Sequence, residues 1–126
     1  FNPPYYQANK GQPAGNPCKD IARYERYGIL DDFFSRGVSV LREEGNLYAV
    51  LPIERLAEAK SIARALGLKL HRTRLICSHS HTEAHLAMLH YVKTAQTSSP
   101  ISEEPLIVHR DGSRVFAQEV DNLMRL

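Results

Sequence analysis

Leu47-Tyr48-Ala49-Val50-Leu51 is an unbroken apolar run, and Pro52 closes it. The run is short for a helix and ends on a residue that cannot donate to a ladder. It therefore reads as a strand buried on both faces, as in a parallel sheet. The period then changes. Over residues 53–66, Leu56, Ala59, Ile62 and Ala63 recur at helical spacing, and Glu54 and Glu58 stand in the early turns, where a helix dipole favours acids. Gly67 is placed to end that helix. A buried strand running into an amphipathic helix is the repeating unit of an α/β sheet.

The flanks extend this pattern. Upstream, Leu30, Phe33, Phe34, Val38 and Leu41 share one helical face, and Gly45 is expected to stop that helix. Downstream, residues 68–77 and 84–93 flank a polar turn and predict an antiparallel strand pair. Residues 94–104 are rich in Ser, Thr and Pro and read as a linker. Residues 105–109, Asp111-Gly112 and Val115-Phe116 predict a further hairpin, followed by a short helix around Val120, Leu123 and Met124. The order helix, strand, helix, strand pair describes the second half of an open α/β sheet.

The bulk properties agree with one domain. The chain has 126 residues and 43% hydrophobic content, enough for a core. Its net charge of +2 arises from 16 basic and 14 acidic residues, which permits contact with nucleic acid without demanding it. There is neither a long apolar run nor a charged-then-apolar leader, so a cytoplasmic location is the default expectation. Cys18 and Cys77 lack metal or redox spacing and are expected as reduced thiols. The first residue is Phe rather than Met, directly before a site motif, so further sequence is expected upstream.

That motif is Asn2-Pro3-Pro4-Tyr5. The lone pair of an aromatic amine is delocalised into its ring, so a catalyst must hold both N–H hydrogens and aim the lone pair at an electrophile. The Asn2 side-chain oxygen is an acceptor for one hydrogen, and the Pro3 carbonyl, kept extended by the following proline, for the other. Neither proline brings a competing N–H donor. Tyr5 offers a flat face to a base taken out of its stack, worth about 1–3 kcal/mol. Residues 6–20, with Gly11, Pro13, Gly15, Asn16 and Pro17, form a loop beside this site. A rival reading exists, because Pro3-Pro4-Tyr5-Tyr6 also fits the Pro-Pro-x-Tyr pattern bound by WW domains, which would make the chain an interaction protein.

Several stretches together carry a resemblance: residues 2–6, the glycine-bearing loop with Asn16-Pro17, Ala22-Arg23-Tyr24-Glu25, the helix ending at Glu44-Gly45, the strand closing at Leu51-Pro52, and Glu104-Pro105-Leu106-Ile107-Val108 before Asp111-Gly112. With these the chain resembles the C-terminal half of class I S-adenosylmethionine-dependent methyltransferases, and within them the bacterial tRNA(Val) adenine-N6 methyltransferases. The resemblance implies an α/β fold, the C-terminal half of a Rossmann-like sheet with an antiparallel strand pair and a C-terminal hairpin, and a partial methyltransferase domain over residues 1–126. It implies a catalytic set of Asn2, Pro3, Pro4 and Tyr5 following the fourth strand, with Asn2 and Pro3 also beside the methyl-bearing end of S-adenosylmethionine. Tyr5, Tyr6 and Arg23 are implied on the substrate side, and tRNA as the partner. DNA adenine and protein glutamine are alternative acceptors for related motifs.

The chain departs from the family in lacking a glycine-rich loop after a first strand and the acidic residue that would hold the donor's ribose. The isolated chain is therefore expected to be inactive, and to self-associate through an exposed sheet edge.

Other clusters of functional side chains stand elsewhere in the chain. His79, His81 and His85 make a His-x-His-x3-His group, but no Asp, Glu or Cys at convincing ligand spacing completes it, Glu83 being nearest, and no metal is expected. A partly protonated histidine turn is also suited to RNA phosphates. Arg64, Lys69, Arg72 and Arg74 are the densest basic stretch, either a solvated surface or a track for a tRNA backbone. Ser78, His79, Ser80 and His81 lack the Gly-x-Ser-x-Gly elbow of a hydrolase.

Overall fold

The computed structural model describes residue 1, residues 30–96 and residues 98–125. Helix α1 (Leu30–Val40) is followed by strand β1 (Asn46–Pro52), a 3-10 turn (Ile53–Arg55), helix α2 (Leu56–Ala65), strands β2 (Leu68–Cys77), β3 (Ala84–Lys93) and β4 (Ile101–Ile107), and a short helix α3 (Gln118–Met124). The strands form one sheet in the order β1-β3-β2-β4. Strand β3 is antiparallel to both β1 and β2, whereas β4 is parallel to β2. Strands β1, β2 and β4 therefore end on one edge, at Pro52, Cys77 and Ile107. This is the carboxyl edge.

The helices follow their apolar spacing. Leu30 and Phe34 of α1 and Ala59 and Ala63 of α2 are buried against Leu47, Ala49 and Leu51 of β1 and Ala87, Leu89 and Tyr91 of β3. Alanines on both sides, at 59, 63, 49 and 87, let α2 lie close to the sheet. Burying a side chain such as Leu51 or Leu89 contributes about 1.5–3 kcal/mol. Helix α2 ends as expected, since Gly67 adopts the left-handed conformation at φ 77°.

Other expectations are corrected. Strand β1 is not buried on both faces. Its burial alternates, with Leu47, Ala49 and Leu51 inward and Tyr48 60% exposed, because the described helices cover only one face. Tyr48 and Val50 are apolar positions on the open face, so the period of two is invisible in composition. Helix α1 ends at Val40, well before Gly45. The left-handed residue of the following turn is Glu44, while Gly45 is needed for space: a Cβ there would lie 2.7 Å from the Arg42 carbonyl. Residues 53–55 form a 3-10 turn rather than the first turn of α2.

The expected linker over residues 94–104 contains the start of β4. Ser102, Glu103, Glu104 and Pro105 are tolerated in that strand because among the described residues it pairs on one side only, and the register shifts between Arg74 and Ile76, beside Pro105. The expected hairpin contracts to a bridge between His109 and Phe116, flanked by bonds from Arg110 N to Val115 O and from Ala117 N to Val108 O, each 2.9 Å. Among the described residues no helix is long and apolar enough to cross a membrane.

Candidate functional site

Open α/β sheets bind ligands outside the carboxyl ends of their strands. Two features bear on that edge, one running toward it and one standing at it. The first is Phe1. Its amino group donates to the Tyr48 carbonyl, and its own carbonyl accepts from Val50 N at 3.2 Å, the pattern of a parallel pair around Ala49. Its ring stacks on Phe33, with centroids 5.9 Å apart, and meets Phe34 edge-on at 5.1 Å. Phe1 thus lies along the outer edge of β1, running with it toward the carboxyl edge. Asn2, Pro3, Pro4, Tyr5, Tyr6 and Arg23, the residues singled out from sequence, lie outside the described residues, as does Cys18. Cys77 is a buried free thiol.

The second feature joins the β2–β3 turn to the loop after β4. The turn is tightened by Thr82, whose hydroxyl donates to the His79 carbonyl at 2.9 Å and whose N–H reaches the same carbonyl at 3.1 Å. Because β4 runs parallel to β2, the loop after it arrives beside that turn. Ser80 then holds Asp111 twice, by its hydroxyl at 2.6 Å and its backbone N–H at 3.1 Å. Those hydrogen bonds, aided by His81 and His79, keep the Asp111 carboxyl below its ordinary pKa. His79 Nε2–H donates to the Ser113 carbonyl at 3.1 Å. Between the two segments lies an open cleft of about 460 Å³ lined by His79, His81, Gly112, Ser113 and Arg114.

The structure changes the membership of the histidine group. His79 and His81 stack at 5.8 Å, but the third imidazole beside them is His109, 5.7 Å from His79, while His85 is exposed on β3. His109 in turn stacks on Phe116, and its buried Nδ1 has no partner among the described residues. Only the parallel pairing of β4 brings His109 here, so no local spacing announced it. Among the described residues no group of three or more His, Cys, Asp or Glu could hold a metal ion. Ser80 donates directly to Asp111 with no histidine between them, so this is not a hydrolase relay.

The basic stretch is divided. Arg72 and Arg74 share the open face of the sheet, as strand spacing requires, but Arg72 pairs with Glu103 at 3.0 Å and Arg74 with Glu119 at 2.7 Å. Arg64 and Lys69 lie elsewhere, beside Lys60. The four therefore do not form one track.

His90, also on the open face, stacks on Tyr48 at 4.4 Å, and its Nε2–H donates to Asn46 Oδ1 at 2.7 Å. Burial, then the charges of His71 and Arg72, hold its pKa below the ordinary 6.5, against the opposing pull of Glu103. The unfolded chain therefore takes up this proton first as pH falls, and the associated stability, complete above about pH 6.5, is lost as pH drops through the lowered folded value. We expect the urea midpoint to fall between pH 7.5 and pH 5.5, and His90→Gln to flatten that decline. An unchanged slope in the variant would refute this assignment.

No protein-family model matches the chain, and no curated protein does. Among solved structures, a crystal structure described as a predicted O-methyltransferase from Agrobacterium tumefaciens is similar, with a TM-score of 0.67 and 20% sequence identity. The likeness covers 80% of this chain and 48% of that one, so the chain spans about half the length of the protein it matches. At this identity the likeness is one of fold: the sheet and its helices have an α/β architecture shared with a methyltransferase-fold protein.

Proposed function

We propose that this chain is the amine-binding part of an S-adenosylmethionine-dependent methyltransferase acting on the N6 amino group of adenine in tRNA. The observation that carries this reading is the Asn2-Pro3-Pro4-Tyr5 motif directly after Phe1, whose backbone runs with β1 toward the carboxyl edge. The likeness in fold to a protein described as a predicted O-methyltransferase supports the same reaction class. A hydroxyl acceptor has one proton to lose and benefits from a base, whereas the motif offers two acceptors and no base, which suits an amine.

S-adenosylmethionine supplies the methyl group when bound. Among the described residues no glycine-rich turn joins a strand to a helix: β1 runs through Pro52 straight into the 3-10 turn, and the segment from β4 to the short α3 carries the single glycine Gly112. This chain's own part is at the acceptor. Asn2 and Pro3 hold the two amine hydrogens, Tyr5 stacks on the base, and Tyr6 and Arg23 stand on the tRNA side. A cleft lined by His79, His81 and Arg114 on the same carboxyl edge offers cationic and donor groups to a polynucleotide.

The test is transfer of a labelled methyl group by a polypeptide carrying this chain together with a donor-binding half, offered tRNA transcripts and adenine-containing DNA, followed by nucleoside analysis. N6-methyladenosine from tRNA is the expected product. Label found only on ribose oxygen, only in DNA, or only on protein would overturn the reading. The isolated 126-residue chain is expected to show no measurable donor binding by calorimetry, and to self-associate, because among the described residues only Phe1 pairs with the outer edge of β1. Light scattering after size exclusion checks the second point, and a monomer at high concentration would refute it.

A further inference from the structure

We propose a second site: the cleft at the opposite, amino-terminal edge of the sheet, between α2, the start of β2 and the segment before β4, binds a phosphate group. The cleft measures about 290 Å³, and its polar lining comes from Lys60, Arg64, Lys69, Tyr91 and Ser98. Lys60 and Arg64 are four residues apart and share a face of α2. The left-handed turn at Gly67 reverses the chain at once, so that the start of β2 also lines the cleft, with Lys69 at its rim between the inward Leu68 and Leu70.

Two independent observations point to an anion here. The first is uncompensated charge. Among the described residues, Arg55, Arg72, Arg74 and Arg125 each pair with a carboxylate within 3.0 Å, whereas Lys60, Arg64 and Lys69, like Arg36, Arg42, Arg110 and Arg114, have no such partner, and the first three line one cleft. Like charges four apart on a helix oppose its formation, and no acid lines this cleft to offset them. Arg64 gains something from the helix C-terminus, but Lys69 on the strand does not.

The second observation is Tyr91. Its ring belongs to the core, 1% exposed and edge-on to Phe34 at 5.7 Å, and a phenylalanine would fill that role. Among the described residues its hydroxyl, although buried, has no hydrogen-bond partner, and Tyr91 lines the cleft. Buried phenols nearly always have a partner, so this donor is left over from packing and available to an acceptor in the cleft. Burial also raises the Tyr91 pKa, which keeps the proton in place for donation.

Two cations on one face of α2, Lys69 at the rim and two hydroxyl donors match a group with several acceptor oxygens and no donor. Phosphate is that group, borne either by an RNA backbone or by a small molecule. The inference does not rest on the methylation reading, since it uses none of the residues at the carboxyl edge.

The experiment uses the full 126-residue chain, labelled with 15N and titrated with inorganic phosphate, beside anisotropy with a labelled single-stranded RNA at several salt concentrations. Phosphate is expected to shift the amides of Lys69, Leu70 and Ser98. Tyr91→Phe is expected to weaken that binding severalfold while raising the melting temperature of the unliganded protein, a combination that a merely structural tyrosine would not produce.

The double variant Lys60→Gln with Arg64→Gln is expected to lower RNA affinity about tenfold and to reduce the salt slope by about 1.4, the value for two lost single-strand contacts. A charge-matched control, Arg36→Gln with Arg42→Gln, should leave the slope unchanged. If phosphate shifts these amides but the Lys60 and Arg64 variant binds RNA normally, the cleft stands and its ligand is a small phosphate-bearing molecule. The proposal is overturned if the amides do not move with either probe, or if the control double variant loses as much RNA affinity as the cleft variant.

Discussion

Asn2→Ala is expected to slow methyl transfer to tRNA by on the order of 10²–10³-fold while leaving tRNA binding nearly unchanged. The asymmetry follows from where charge develops. As the amine nitrogen attacks the methyl group it becomes more positive, its N–H hydrogens become stronger donors, and an acceptor fixed in place gains most at that moment. Losing one such preorganised partner costs about 2.7–4 kcal/mol, by analogy with the loss of an oxyanion-hole donor. Binding of the tRNA as a whole is spread over many phosphate contacts, to which one amide oxygen adds little. Single-turnover methylation by the polypeptide carrying this chain, with binding measured separately, distinguishes the two quantities. Equal losses in rate and affinity would mean that Asn2 is a binding residue only, and a normal rate would remove it from the mechanism.

Phe34→Ala is expected to destabilise the fold by about 3–5 kcal/mol, the range for removing a buried aromatic ring. Phe34 is fully buried and sits where three parts of the structure meet: its own helix, Tyr91 of β3 at 5.7 Å, and Phe1 at 5.1 Å. Alanines at 49, 59, 63 and 87 fill the neighbouring core, and small rigid residues cannot collapse into the space that a lost ring leaves. Since a domain of this size is stable by only about 5–15 kcal/mol, the variant should lose a third or more of a typical domain's stability. Urea titration measures this directly. Phe33→Ala is the comparison, because Phe33 is half-buried and stacks on Phe1, so its loss should cost less. A Phe34 variant within 1 kcal/mol of the parent would show that the helix-to-sheet seam is not closed by this ring.

Local chemistry alone determined much of this protein. The periods of two and 3.6 are carried by neighbouring residues, which is why 68–77 and 84–93 were legible as paired strands to the residue, and why Leu56, Ala59, Ile62 and Ala63 were legible as the buried stripe of α2. The amine-holding role proposed for Asn2-Pro3-Pro4-Tyr5 is likewise read from its own side chains and carbonyls. What required tertiary structure was every feature set by pairing between distant segments. Whether β1 is covered on one face or two depends on which helices reach it, and an apolar Tyr48 reads alike in either case. Strand β4 has a polar sequence, and its parallel register with β2, about thirty residues away, leaves no periodic trace. That single pairing replaces His85 by His109 beside His79, ties Ser80 to Asp111, and sets Arg72 against Glu103. The turn at Gly67 likewise gathers Lys69 with Lys60 and Arg64, away from Arg72 and Arg74, because a strand and a helix joined by a left-handed residue run back along each other while sequence proximity records only their order.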